Sequence, residues 1–292
     1  MQVALRKPLD LALTLAPIGP GSWLRLRDGE AWRATNTPEG PAAVHLIQSG
    51  GTLKVEAWGA GAGWASAQAA ALVGEEDDDS GFIAAHPLLT EVRRRNPGLR
   101  LPKTRAVFEA LVPAVIGQKV ATVEAHHSYR LLVEALGEPA PGPTALIVPP
   151  TAGVLARTPY WTFHRFGIER RRAEVIINAA RSAKRLEEAV GMDLPAAHRR
   201  LEAFAGVGPW TAAKVALVAL GDADAVPVGD YHLAHSVGYA LEGTARSTDA
   251  RMLELLEPYR GHRARVVRLI GVAGIGAPRF GPKLPLRNIA RS

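Results

Sequence analysis

The sequence predicts a mainly α-helical protein that opens with a small α+β domain, and two patterns carry the prediction. Residues 8–60 alternate apolar and polar positions with period two between Gly/Pro clusters, whereas from Phe82 onward the apolar residues recur with helical spacing. The 292 residues, 47% hydrophobic and 22% charged, are enough for one large or two smaller cores. In the first region LDLALTLA, SWLRLR, AAVHLI and TLKVEAW read as strands separated by PIGPG, TPEGP and QSGG, with GWASAQAAALVG (63–74) as a helix laid across them. Leu9, Leu11, Leu13 and Leu15 alternate and Asp10 interrupts the run, a strand pattern and not that of a signal peptide. The acid run EEDDDS (75–80) reads as a solvated linker, dividing a sheet-and-helix domain (1–80) from a helical domain (81–292). Helices are expected over 104–137, 151–166, 170–189, 194–204, 209–220, 230–241 and 248–273, with GEPAPGPTALIVPP (137–150) crossing between two helical halves as an irregular connection.

Charge and composition narrow the classes of function. A net charge of +7 and a pI near 10.0 favour a polyanionic partner, nucleic acid above all. Without cysteine there are no disulfides, no thiolate metal sites and no cysteine-bound iron-sulfur cluster. The nine histidines, including His126, His127, His232 and His235, show no metal-ligand spacing, so no metal is expected. GAGAG (59–63) lacks the lysine of a phosphate-binding loop. No apolar run approaches the ~18 residues of a membrane span, so a cytoplasmic monomer with no membrane contact and no obligate protein partner is expected.

The segment LEAFAGVGPWTAAKVALVALGDADAVPVGDYHL (201–233) carries the chemistry. A helical segment ending at Phe204 turns through Ala205, Gly206, Val207 and Gly208 and resumes as a helix at Pro209, a helix-hairpin-helix spanning about 196–220. Gly206 and Gly208 are read as positions whose torsions only glycine tolerates, Val207 as an apolar plug, and the free N–H groups as a phosphate site. Asp230 follows Gly208 by 22 positions and also precedes a helix that it would cap, two roles that can coexist.

The pattern L-x-x-F-x-G-V-G-P-W-T-A, an alanine-rich helix, small residues with Pro227, then G-D-Y, resembles the helix-hairpin-helix DNA glycosylases, in particular the alkylation-repair branch of 3-methyladenine DNA glycosylase II. The resemblance extends loosely to HPLLTEVRRRNPGLRLPKT and to 108–126, and fades before residue 80 and after about 272. It implies a monofunctional enzyme of base excision repair acting on alkylated bases in double-stranded DNA. Asp230 would supply the anion that stabilises a sugar cation while the base is flipped out of the stack. Gly206, Gly208, Thr211, Gln118 and Lys119 would bind DNA, with Gln118-Lys119 at the family's wedge loop, where an apolar residue usually follows the glutamine. Trp210, Lys214 and Tyr231 would line the base pocket. Trp210 occupies the position where strand-cutting relatives carry a Schiff-base lysine.

The resemblance calls for no cofactor and allows only a monovalent cation at the hairpin. Two departures bear on substrate range: Lys214 stands where the family tends to carry an aromatic residue, either turned toward phosphate or putting a cation in the pocket, and no aromatic occurs between Arg260 and Ile275. Arg165, Arg170, Arg171 and Arg172 are either a solvated face or an extension of the phosphate surface. Two alternatives stay open: a non-catalytic protein that binds damaged DNA, and a glycosylase with lyase action through Lys214.

Overall fold

A computed structural model describes residues 1–278; the last part of the expected second domain, 279–292, lies outside the described residues. The N-terminal region is a five-stranded antiparallel sheet of β1 (Gln2–Ala4), β2 (Leu24–Arg27), β3 (Glu30–Thr37), β4 (Gly40–Ser49) and β5 (Thr52–Trp58), in the order β1-β5-β4-β3-β2. Leu46 sits opposite Ala31 and Val55, and its side chain belongs to the core. The consecutive burial of Ala42 through Leu46 in β4 has a simple cause: both faces of the sheet are covered. One face meets the main core. Against part of the other lies a short hairpin of β6 (Glu138–Pro139) and β7 (Ile147–Val148), which buries Ala34 and Ala43 against Ala140, Leu146 and Val148. The 137–150 segment therefore covers the sheet and does not bridge two helical halves.

LDLALTLA is not a strand. Asp10 accepts from Leu13 N at 2.8 Å and starts helix α1 (Leu11–Leu15), followed by a 3-10 turn at Ala16–Ile18. This short helix is wedged between two cores, with Leu9, Leu11 and Leu15 in one and Leu13 against the other. Burial on both sides mimics the alternation of a half-buried strand. Helices α2 (Ala62–Ala67) and α3 (Ala69–Leu72) then cover the sheet, close to the expected 63–74.

The helical part follows as α4 (Pro87–Arg95), α5 (Val107–Ile116), α6 (Thr122–Leu136), α7 (Ala152–Arg157), α8 (Arg170–Arg181), α9 (Ala183–Glu187), α10 (Leu194–Glu202), α11 (Pro209–Val215), α12 (Leu233–Glu242), α13 (Asp249–Leu256) and α14 (Arg263–Val272). The sheet and the helices from α5 to α11 share one core; α4 joins α12, α13 and α14 in a second. The 221–232 segment, in which Asp230 lies, runs from the first core to the second.

The acid run is no solvated linker. Glu75 pairs with Arg100 and Arg6, Glu76 with Lys103 and Arg105, and Asp79 with Lys7 and Arg93. Asp77 takes the Arg265 guanidinium of α14 in a two-pronged pair at 2.9 and 2.6 Å, with side chains 6% and 4% exposed, and also accepts from Leu101 N at 3.0 Å. Basic segments distant in sequence converge on these carboxylates, which the local charge pattern did not reveal. Asp77→Ala should lower the unfolding free energy in urea titration by about 3–5 kcal/mol, because it leaves Arg265 buried and unpaired. The double variant Asp77→Leu, Arg265→Met should recover much of the loss, and a double variant as unstable as Asp77→Ala would show that the charge pair is not the cause.

Candidate active site

The hairpin joins α10 to α11. Val207 is buried and plugs the turn as expected. Gly206 has φ +86, and a Cβ there would come within 2.3 Å of Val175 Cγ2 on α8, so conformation and contact both demand glycine. Gly208 differs from its expectation. With φ −98 and ψ −178 it is extended and open, so its torsions suit any residue; what its missing side chain provides is an uncovered start to α11. Among the described residues neither the Gly206 nor the Gly208 N–H finds a protein acceptor, and both glycines are exposed. Past Val215 the helix runs on through a π-helical turn, Ala216–Leu220.

Residues 104–137 form two helices instead of one, parted by a turn at 117–121 in which exposed Lys119 takes φ +56. A lysine in the left-handed region is strained by about 1–2 kcal/mol, and it stands at the outward tip of the turn. Gln118, expected on the DNA surface, is a brace: its Nε2 donates to Gly206 O at 2.8 Å and to Thr211 Oγ1 at 2.9 Å. Thr211, expected at the same surface, is 2% exposed, because its hydroxyl faces this brace. Arg172 is also internal, donating to Ile116 O at 2.8 Å and so capping the carbonyl end of α5. Arg170 is engaged with Glu174 and the face of Tyr160. Arg171 remains exposed, one turn before the Val175 that touches the hairpin.

Asp230 is held from two sides. Its Oδ1 accepts from His232 N at 3.0 Å and Leu233 N at 3.1 Å at the start of α12, and its Oδ2 accepts from Trp210 Nε1 at 3.0 Å. Capping and a preset carboxylate are thus one arrangement. The Trp210 indole lies against the turn at 117–121, where a Cβ on Gly117 would stand 3.5 Å from it. Lys214, on the same helical face one turn later, is exposed to solvent, with protein packed around part of its side chain. That crowding pushes its pKa below the usual lysine value; Asp230 pulls the other way and Arg268 of α14 adds to the depression. Burial likewise lowers the pKa of Arg268, whose Nε has no partner and whose Nη2 donates to Leu13 O at 2.5 Å. Tyr231, expected in the pocket, is 83% exposed beside His232, since the turn that aims Asp230 inward sends its neighbour out.

The sequence reading missed the brace role of Gln118, the cap by Arg172 and a half-buried pair in which His198 of α10 meets Asp222 at 2.8 Å, a hydrogen bond that raises the histidine's pKa. Only the loop's acidic spacing, Asp222, Asp224 and Asp230, hinted at the last. Among the described residues no three His, Asp or Glu are grouped to hold a metal, and no helix is long and apolar enough to cross a membrane.

This architecture is that of the helix-hairpin-helix DNA glycosylases, and the sequence is similar to members of their alkylation-repair branch. A 3-methyladenine DNA glycosylase from Archaeoglobus fulgidus superposes with a TM-score of 0.78 at 21% identity, over 92% of this chain and 97% of that one. An 8-oxoguanine glycosylase/lyase from Clostridium acetobutylicum, solved with double-stranded DNA, superposes with a TM-score of 0.72 at 14% identity, over 94% and 97%. In sequence, a DNA-3-methyladenine glycosylase from Bacillus subtilis is 29% identical over 182 residues, which is 60% of each chain. The chain thus spans about three-fifths of the length of that curated relative, and no family model matches it.

The two hairpin glycines should separate in a stability measurement. Gly206→Ala meets both an unfavourable φ and the stiff Val175 side chain, and should cost about 2–4 kcal/mol. Gly208→Ala, in open extended backbone, should stay within about 1 kcal/mol of the parent. Equal losses in thermal or urea unfolding would contradict the distinct roles assigned here.

Proposed function

We propose that the protein is a monofunctional DNA glycosylase of base excision repair, which flips a damaged base out of duplex DNA and hydrolyses its N-glycosidic bond. Alkylated bases are the substrate class to which its relatives' names point. The observation that carries the proposal is the Asp230 carboxylate, fixed by the Trp210 indole and the first N–H groups of α12 next to an exposed hairpin.

The chemistry follows from the groups. Breaking the bond between C1′ and the base nitrogen leaves positive charge on the sugar, and a carboxylate already oriented stabilises that charge without reorganising. Water adds at C1′, one of its protons is released, and the departing base keeps the electron pair of the broken bond. The free N–H groups of Gly206 and Gly208 would take a backbone phosphate, with exposed Arg171 extending the contact. A monovalent cation at the hairpin is a further possibility of the proposal, although the Gly206 carbonyl already accepts from Gln118. Lys119 would enter the gap left by the flipped nucleotide, its turn bolted to the hairpin by Gln118 so that wedge and phosphate grip move as one body. Trp210 has no amine for a covalent route at its position. A second reading, Lys214 as a Schiff-base amine, rests on its place one turn after Trp210 on the same face of α11, with burial lowering its pKa.

Asp230→Asn preserves shape and most of the cap but removes the charge, and should slow single-turnover excision about a hundredfold or more while DNA binding persists. Near-parental excision would end the catalytic assignment. The parent should give no borohydride-trapped adduct with DNA, and an adduct lost in Lys214→Ala would move the protein to the lyase class. For the wedge, Lys119→Gly relieves the positive φ and so should not destabilise the fold, yet it should lower excision more from fully paired than from mismatched DNA, where unstacking is cheaper. Equal loss on both substrates would remove Lys119 from the wedge role.

A further inference from the structure

Asp230 is the last residue of a tight turn. Its N–H donates to Pro227 O at 3.3 Å, and Gly229 takes φ +87 while Val228 keeps a negative φ. A positive φ at the third position marks a type II turn, which differs from type I by a half-rotation of the peptide between the two central residues. Nothing crowds Gly229: it is exposed, and a Cβ there would meet no atom within 4 Å. Packing alone therefore leaves that peptide free to rotate. What holds it is Asp249, whose Oδ2 accepts from Gly229 N at 3.1 Å. Asp249 lies 20 positions further along the chain and is the first residue of α13, where the helix N-terminus favours its charge. Met252 and Leu256 of the same helix are buried in the second core, so the carboxylate stands on a fixed support.

We infer that Asp249 is a positioning residue for Asp230, acting through the peptide of Gly229. The inference rests on the glycosylase reading and deepens it. The bonds from Trp210 and from the start of α12 fix the Asp230 side chain; Asp249 fixes the backbone that enters it. In the type I form the Val228 carbonyl would face the Asp249 carboxylate where the Gly229 N–H now stands, oxygen against oxygen. Asp249 therefore favours one form of the turn and disfavours the other. Without it the turn samples both, and the reacting carboxylate loses its single placement. Displacing a reacting group by about 1 Å can cost two orders of magnitude in rate. The role needs an acceptor oxygen at residue 249 and not a charge as such, so an amide oxygen can fill it less strongly.

The test follows release of methylated purines by the full chain from duplex DNA treated with a methylating agent, in single turnover over a range of enzyme concentrations. Asp249→Ala deletes the acceptor and should lower the rate at saturation about tenfold or more, with the half-saturating concentration unchanged within about twofold. Asp249→Asn removes the charge but keeps an acceptor oxygen, and should recover most of the parental rate. Gly229→Ala strains the positive φ and pushes the turn toward type I, so it should slow the saturated rate in the same way. Thermal unfolding of each variant establishes that it is folded at the assay temperature. Parental rates in Asp249→Ala, a loss confined to affinity, or an Asn variant as slow as the Ala variant overturns the inference. The last outcome would assign the effect to charge on α13 and not to the bond with Gly229. If the parent releases no base from this DNA or from a panel of other lesions, or if Asp230→Asn is as active as the parent, the glycosylase reading itself fails. Release that needs Asp230 and is indifferent to Asp249 sinks only the positioning role.

Discussion

The buried ion pair between Asp77 and Arg265 joins two segments 188 positions apart, one leaving the sheet and one in the second core. It ties the segment leaving the sheet to the last described helix, and the same carboxylate takes the Leu101 N–H on the way to α5. Through α14 it determines where Arg268 stands, three residues beyond Arg265 and one turn along the helix. A buried pair of this kind adds little net stability compared with apolar residues of the same shape, but it tolerates only one arrangement of its partners. Here that arrangement brings the second core against the first, with the 221–232 segment between them. Glu75, Glu76 and Asp79 extend the clamp to Arg100, Lys103, Arg105 and Arg93.

Around the carboxylate, stability and chemistry use the same bonds. The N–H groups capped by Asp230 would otherwise lack partners at the start of α12, and the Trp210 indole would otherwise bury an unsatisfied donor. Each bond that holds the helix also removes a degree of freedom from the Asp230 carboxylate. Gln118 economises in the same way: one amide nitrogen spans the wedge turn, the hairpin carbonyl and a buried threonine. The turn at 117–121 and the hairpin are therefore joined directly through one side chain.

The fold is shared with glycosylases whose names indicate different damaged bases, 3-methyladenine in one case and 8-oxoguanine in another. A scaffold that serves several bases must delegate the choice to the side chains facing the flipped nucleotide. Beside the Asp230 carboxylate this chain carries the Trp210 indole of α11, with Lys214 one turn further along the same helix.

Much of this was legible in the chain itself. The hairpin at 201–209, the carboxylate 22 positions after Gly208, the tryptophan between them and the strands before the helices all follow from local signals: glycine and proline at a turn, helical spacing, alternation in the strands. Where local pattern and burial parted, the sequence misled. LDLALTLA alternates because it is buried on both sides, not because it is a strand, and EEDDDS reads as solvated only while its arginine partners, as far off as Arg265, are unknown. Thr211 and Gln118 look like surface residues until α5 is laid along α11. What the sequence determined by itself was the set of short-range elements and the place of Asp230 at the start of a helix, whose capping depends on neighbours a few residues away. Only the tertiary structure decided which charges are paired and which side chains turn inward, because those outcomes depend on contacts between segments that no local period encodes.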